Sequence, residues 1–177
     1  MRKRWIVLVL VALSLVVLVP IGVGSVLPED HTATSYVDLG LPADTVWSLV
    51  RDFQAYSSWW PDVRRSERLP DHEGREAWKH VQTSGELPLV IIEENSPSRL
   101  VTRILDEGMP FGGTWTYELA ETEAGTRVTI TENGSVYNPL FRFMSRFLMG
   151  HHGTMDRYLE SLGAARGLSV VPVHLEG

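Results

Sequence analysis

The chain has 177 residues, no cysteine and a formal net charge of −6. Three of the 16 basic residues occupy positions 2–4, so the rest of the chain carries 13 basic and 22 acidic residues, a net charge of −9. A nucleic-acid-binding protein needs clustered basic residues to neutralise phosphates, so this balance argues against a nucleic-acid partner. The absence of cysteine excludes disulfides and a cysteine-linked lipid anchor.

Residues 1–27 are typical of a membrane anchor. A basic start precedes a run from Trp5 to Leu27 without a single charge, and about 20 apolar residues suffice to cross the bilayer core. A signal peptide cleaved near residue 25 is the alternative, because it also combines a basic start, an apolar centre and small residues. We favour the anchor because no clean A-x-A site ends the apolar run. In either case the domain lies outside the cytoplasm, as a single-pass membrane protein or, after cleavage, as a secreted or periplasmic one.

The residues after the anchor predict a linker, a strand and two helices. Residues 28–33 are polar and predict the linker, and the alternation over 34–39 predicts the strand. Apolar residues at helical spacing predict a helix over 42–53. A second, shorter helix is expected over 54–60, because Pro61 disfavours helical angles in the residue before it.

Six further strands follow, separated by turn residues. They are predicted over residues 63–69, 76–83, 87–94, 99–105, 114–121 and 127–136. Consecutive short strands joined by tight turns form an antiparallel meander. The chain is therefore expected to contain a seven-stranded antiparallel sheet, an α+β architecture.

A long amphipathic helix is predicted at the end of the domain. Asn138 is a capping residue, and Pro139 suits the first helical turn. An apolar stripe that includes Leu148 and Met155 continues to Leu162. Residues 166–177 are expected to form a C-terminal tail. A sheet curled around this helix leaves a hydrophobic cavity between them, and the two short helices after the first strand are placed to close it.

Several motifs resemble the START-like, or SRPBCC, helix-grip superfamily, in particular its bacterial polyketide cyclase/dehydrase and lipid-transport branch. They are LPADTVWSLVRDFQAYSSWWPDV, SPSRLVTRI, PFGGTWTYEL and GTRVTITENGSVYNP, together with the final helix, and the resemblance covers residues 34–165. It implies a helix-grip fold whose cavity binds hydrophobic small molecules, lipids or polyketide-like rings. Such folds host many activities, so the resemblance specifies the fold more closely than the function.

Strand parity selects two candidates for proton transfer, Glu132 and His80. Glu132 alternates with apolar residues on the predicted inner face, and an acid among hydrophobes is suited to proton transfer. It could instead lie at the open end of the sheet or pair with Arg103. His80 shares a strand face with Trp78, but which face is inside is left open. The same holds for Arg103, which would hold a carboxylate or phosphate if inward, or pair with a neighbouring glutamate if outward.

Aromatic residues and one further histidine complete the predicted ligand-binding set. One indole of the Trp59–Trp60 pair is expected to wedge between the short helices and the sheet and the other to lie near the cavity rim, unless both are ordinary core packing. His151 shares the apolar stripe and should face the sheet. The full predicted set is Trp59, Trp60, Trp78, His80, Arg103, Trp115, Tyr117, Glu132, Phe147 and His151.

The favoured function is membrane-tethered binding of a hydrophobic small molecule or lipid. No cofactor is expected, and no metal site, because His151 and His152 point about 100° apart on a helix and no other ligand cluster is present. One alternative is an enzyme of the aromatase/cyclase or dehydratase type, acting on a polyketide-like or other apolar ring. The other alternative is a partner-binding domain whose core is filled by side chains.

Overall fold

An antiparallel sheet and a set of mostly short helices make up the part of the chain that the computed structural model describes, residues 2–175. The helices are α1 (Arg2–Val26), α2 (Ala43–Arg51), α3 (Tyr56–Trp59), α4 (Pro139–Met144) and α5 (Gly153–Ala164), with a 3-10 turn at Phe53–Ala55 and a π-helical turn at Ser145–Met149. The strands are β1 (Asp30–Leu39), β2 (Val63–His72), β3 (Arg75–Gln82), β4 (Gly85–Asn95), β5 (Arg99–Ile104), β6 (Phe111–Thr122), β7 (Gly125–Val136) and β8 (Val173–Leu175).

The sheet order is β2-β3-β4-β5-β6-β7-β1-β8, and neighbouring strands are antiparallel. Strands β2 to β7 follow one another as the predicted meander. β1 pairs with β7 along its whole length, from Asp30 opposite Ser135 to Leu39 opposite Thr126. Alternate residues of both strands therefore share the inner face of the sheet, which we define as the face covered by the helices.

Helix α5 covers this inner face with one apolar stripe. Met155, Tyr158, Leu159 and Leu162 are all fully buried. Helices α2 and α3 close the other side of the same space, as predicted for the two short helices after the first strand. The α+β, helix-grip arrangement is thus confirmed, since a sheet grips a C-terminal helix along its inner face.

The sheet has one strand more than the predicted seven in the part of the chain that the structure describes. Residues predicted as tail form β8, whose Val173 pairs with Tyr36 and whose Leu175 pairs with Thr34 of β1. All three residues of β8 are exposed. Val173, His174 and Leu175 do alternate, but three residues are too few for alternation to indicate a strand.

The predicted long C-terminal helix is broken into two. After α4 the chain makes a π-helical turn and reaches Gly150, whose φ of +74° is a left-handed conformation that glycine adopts readily. Helix α5 then starts in a new phase. Leu148, predicted to share the inward stripe with Met155, is consequently 72 % exposed.

The C-terminal turn of α1 packs against the start of α4. A Cβ atom placed on Gly24 would lie 1.8 Å from the carbonyl oxygen of Pro139, so the two backbones touch and only glycine fits. The side chains of residues 6–12, which belong to the predicted anchor, lie outside the described residues. Among the residues whose side chains are described, no helical stretch is both long enough and apolar enough to cross a membrane.

Candidate functional site

A cavity of about 530 Å³ lies between the inner face of the sheet and the junction of α4 with α5. Its walls come from β1, from β3 to β7, from the residues just before β6 and from the stretch 141–154, together with Phe53 and Trp60 beside the short helices. Apolar atoms make up most of the wall surface, and histidine, hydroxyl, glutamine and glutamate side chains line the rest of it. Side chains therefore do not fill this interior, which contradicts the filled core expected of a partner-binding domain.

An aromatic cluster forms the closed end of the cavity. Trp60 and Tyr117 line it at 3 % and 4 % exposure, and both rings contact Tyr158, at centroid distances of 4.9 and 5.6 Å. The Tyr56 hydroxyl donates to the Val50 carbonyl oxygen (2.5 Å), so the Tyr158 hydroxyl, 3.2 Å away, donates to Tyr56. Burial raises the pKa of Tyr56, Tyr117 and Tyr158, so these phenols stay neutral at physiological pH.

His80 points into the cavity at this closed end. Its side chain is almost fully buried, and its Nδ1 lies 2.9 Å from the Ser66 hydroxyl oxygen. Burial lowers the pKa of His80 to about 4, so the ring is neutral at pH 7. Because Nδ1 is engaged with Ser66, the ring is suited to orient a ligand through a single hydrogen bond.

A carboxylate–imidazole group, defined as Glu132, His31 and His151, lies closer to the cavity mouth. The Glu132 carboxylate accepts hydrogen bonds from Trp115 Nε1 (2.8 Å) and from His31 Nε2 (3.1 Å). The His31 ring stacks on the His151 ring with centroids 3.9 Å apart. Burial and the adjacent His31 lower the pKa of His151. The group joins β1 and β7 to the start of α5, with Trp115 of β6 bonded to it, and all its members line the cavity.

Gly134 provides the space for this group. A Cβ atom at that position would lie 2.4 Å from His31 Cε1 and 3.1 Å from Glu132 Oε1. Any larger residue would therefore push the imidazole off the carboxylate. The glycine of the ENGS motif is thus explained by the approach of two side chains across the β1–β7 ladder.

Six of the ten predicted ligand-binding residues line the cavity. They are Trp60, His80, Trp115, Tyr117, Glu132 and His151. The register explains the pair from β6 and β7, because Trp115 lies directly opposite Glu132 and Tyr117 opposite Ile130. Directly opposed residues of antiparallel strands share one face, as the parity argument predicts.

The other four predicted residues lie elsewhere. Arg103 points outward, where its closest acid is Glu73 at 3.9 Å, and so it is paired neither with Glu132 nor with the neighbouring strand. Phe147 is 57 % exposed on the outside of the π-helical turn. Trp78 packs on Phe53 in the core, and its Nε1 donates to Glu76 (2.6 Å). Trp59 contacts Tyr56 and Tyr158 from the far side of α3 and faces a shallow hollow beside the end of α5.

His31 and Thr102 are cavity residues that the sequence reasoning missed. The first strand was predicted from Thr34, but β1 begins at Asp30 and includes His31. A usable signal was present, because the inward positions Leu39, Val37, Ser35 and Ala33 continue at period two to His31. Thr102 alternates with Leu100 and Ile104 on β5 and faces Trp115.

A second imidazole stack lies next to the first on the other side of the start of α5. His152 stacks on His174 of β8 at 4.0 Å, and Asp156 accepts hydrogen bonds from Ser35 (2.9 Å) and His174 (2.9 Å). Burial and the neighbouring His174 lower the pKa of His152. Within residues 2–175, no three histidine or acidic side chains are grouped so as to hold a metal ion.

Comparison with protein families assigns the chain. The family described as polyketide cyclase/dehydrase and lipid transport matches residues 30–165, well over half of the sequence. The chain belongs to this family. The matched region of this cyclase/dehydrase and lipid-transport member runs from the first residue of β1 to just past α5 and so contains the whole cavity.

Solved structures show the same fold. A START superfamily protein from Mycobacterium smegmatis aligns with a TM-score of 0.57 at 16% identity, covering 77% of this chain and 95% of its own. Norcoclaurine synthase from Thalictrum flavum aligns at 0.60 and 8% identity, covering 77% and 86%. A hypothetical protein from Helicobacter pylori aligns at 0.63 and 13% identity, covering 78% and 88%. A search of curated proteins gave no match.

Proposed function

We propose that this family member binds a hydrophobic small molecule or a lipid in the cavity while α1 tethers it to a membrane. The observation that carries the proposal is the open space of about 530 Å³ in the interior of the fold, whose wall surface is mainly apolar. Small-molecule sites usually measure about 300–1,000 Å³ and combine apolar walls with a few polar groups. Here those polar groups include His80 at the closed end and the carboxylate–imidazole group near the mouth.

Tethering is supported by the chemistry and length of the N-terminal segment. Residues 5–27 contain no charged side chain, and basic residues precede them. A helix of 25 residues is about 37 Å long, enough for a hydrocarbon core of about 30 Å. The close fit of Gly24 on Pro139 also favours an uncleaved helix, since cleavage near residue 25 would remove this contact.

The binding proposal is tested by native mass spectrometry and lipid extraction of the full-length protein. An apolar molecule should co-purify with the wild type. Ile104→Trp should exclude it, because Ile104 lines the cavity. Arg103→Trp, the adjacent residue on the outer face, is the matched control and should retain it. Repeated recovery of empty wild-type protein would overturn the proposal.

The membrane proposal has its own test. The full-length protein should remain in the membrane fraction after carbonate washing, at the mass of the complete chain. Recovery from the soluble fraction at the mass of a chain beginning near residue 25 would show the signal-peptide alternative instead.

A cyclase- or dehydratase-like enzyme is the second candidate, favoured by the carboxylate–imidazole group. A carboxylate bonded to an imidazole inside a cavity can hold and move a proton. His31 takes the role that the sequence assigned to His80, since His80 is engaged with Ser66 and its low pKa makes it a weak base. If the site is catalytic, Glu132→Gln should abolish turnover of an apolar carbonyl substrate while ligand binding persists.

A further inference from the structure

The segment that joins the cavity to solvent carries an unusual amount of exposed apolar surface. We define residues 138–153, which comprise α4, the π-helical turn and the start of α5, as the rim segment. Phe141, Phe147 and Leu148 of this segment are 44 %, 57 % and 72 % exposed. Neighbouring large apolar side chains exposed together usually mark a surface that contacts a partner or a membrane.

The same segment forms part of the cavity wall. Phe141, Ser145, Gly150 and His151 line the cavity from inside, while Phe147 and Leu148 face out. The rim segment therefore has the cavity on its inner side and exposed apolar side chains on its outer side. The segment also contains a π-helical turn followed by a left-handed glycine, and π-helical turns are frequent at functional sites.

The rim segment is tied to the end of α1. The Arg142 guanidinium donates to the carbonyl oxygens of Leu27 and Tyr137 (both 3.1 Å) and pairs with Glu29 (3.0 Å). Gly24 touches Pro139 at the start of α4. The rim therefore stays beside the point where α1 ends, and the exposed apolar side chains of α1 and of the rim lie on adjoining elements.

Charge distinguishes this segment from the rest of the acidic domain. No aspartate or glutamate occurs between Glu132 and Asp156, whereas Arg142 and Arg146 fall in this stretch, and Arg146 is exposed. Arg142 is buried and paired with Glu29, so Arg146 is the exposed cation of this segment. An exposed arginine beside aromatic and aliphatic side chains suits the anionic head groups and upper acyl chains of a phospholipid bilayer. A partner with a basic surface would fit this segment poorly.

We propose that the rim segment docks on the phospholipid surface into which α1 inserts, so that the cavity exchanges its apolar ligand directly with the bilayer. The proposal rests on the proposed function, namely the tether and the ligand-filled cavity. It adds the orientation of the domain: the mouth faces the lipid, and the turn between β6 and β7 points away. That turn lies at the far end of β1, about 30 Å from α1.

The absence of cysteine permits a direct test of the orientation. Leu148→Cys and, as the matched control, Ala124→Cys in the exposed turn between β6 and β7 are labelled with an environment-sensitive fluorophore in the full-length protein. The protein is reconstituted into vesicles of mixed zwitterionic and anionic phospholipid containing nitroxide-labelled lipid. The label at position 148 should shift to the blue and lose most of its emission to the nitroxide, and the label at 124 should do neither.

Each other outcome has a definite meaning. An unquenched label at position 148 overturns docking, and a blue shift without nitroxide quenching shows instead a second copy or a protein partner on this face. Ligand content, measured on the same preparation by lipid extraction, distinguishes failure of the docking proposal from failure of the binding proposal. Ligand present with no quenching refutes docking alone, whereas quenching with an empty cavity refutes the binding function alone.

A paired variant tests exchange. Phe147→Asp combined with Leu148→Asp should slow the loading of a fluorescent fatty acid from vesicles at least tenfold, yet leave its binding from detergent micelles unchanged. Both side chains are largely exposed, so the substitutions should not affect folding. Unchanged loading from vesicles would contradict the proposal.

Discussion

The two ends of the space between sheet and helices are built on opposite principles. At the closed end, Phe53, Tyr56 and Tyr158 are at most 1 % exposed, and the Tyr56 ring contacts each of the other two edge to face. At the rim, Phe147 and Leu148 leave more than half of their surface in solvent. Tight packing concentrates stability at the closed end. Weak packing at the rim leaves that end free to open, so stability and ligand access depend on different residues and can be perturbed separately.

The largest effect is expected from the centre of the closed end. Tyr158→Ala removes a ring that contacts Tyr56, Trp60, Trp115 and Tyr117, and it should lower the free energy of unfolding by about 3–5 kcal/mol. Chemical denaturation of the full chain measures this. Tyr158→Phe loses only the hydrogen bond to Tyr56 and should cost about 1 kcal/mol. Equal losses in the two variants would show that the ring contributes no packing energy.

Acid should weaken the closed end through His80. Its pKa in the folded state is about 4 against 6.5 for the free side chain, so the unfolded chain binds this proton first as the pH falls. The stabilisation is complete above pH 6.5 and is lost between pH 6.5 and 4, by about 3 kcal/mol. His80→Gln should flatten this part of the pH dependence, whereas His72→Gln on the edge strand β2 should leave it intact. A variant at position 80 with the wild-type slope would contradict the assignment.

These two ends also differ in how far the sequence predicts them. Period-two alternation places Trp115 and Tyr117 of β6 and Glu132 of β7 on the inner face, because side chains of a strand alternate by geometry alone. Strand alternation does not show whether His80 and Arg103 face inward or outward, since both of their strands carry apolar residues on each face. Their orientation follows from the neighbouring strands, which only the folded sheet supplies.

The rim was predicted least well, for a physical reason. Its helix was expected to continue through Gly150, but the left-handed glycine resets the helical phase, so that Leu148 points outward and His151 meets β1. The partners of His151 and His152 are His31 and His174, which lie 120 and 22 residues away in sequence. Contacts between such distant polar residues follow no local periodicity, and neither histidine stack could be read from the sequence.

A smaller effect is expected where the rim meets α1. Arg142→Met removes the pair with Glu29 and the hydrogen bonds to two carbonyl oxygens, which should cost roughly 1–3 kcal/mol. Hydrogen exchange in α4 should accelerate more than exchange in α5, because the link is local. Arg142→Lys keeps the charge but not the planar fork, so it should recover only part of the loss. Uniform acceleration throughout the domain would mean that this link supports the whole fold.

The smallest effect is expected at the rim, where a change of pH should alter local opening with little effect on the stability of the closed end. The pKa of His151 lies below its ordinary value because of burial and of the facing His31, with Glu132 acting in the opposite direction and Arg146 and His152 adding to the depression. The opened rim therefore binds a proton before the closed rim does, and opening is favoured as the pH falls below about 6.5. Amide exchange corrected for intrinsic rates should accelerate at residues 150–153 over this range, with a change of less than about 1 kcal/mol in global stability. His31→Gln removes the facing imidazole and should reduce this acceleration, since the pKa of His151 then moves back toward its ordinary value. If residues 150–153 exchange at a rate independent of pH while the closed end weakens through His80, the rim histidines do not control opening.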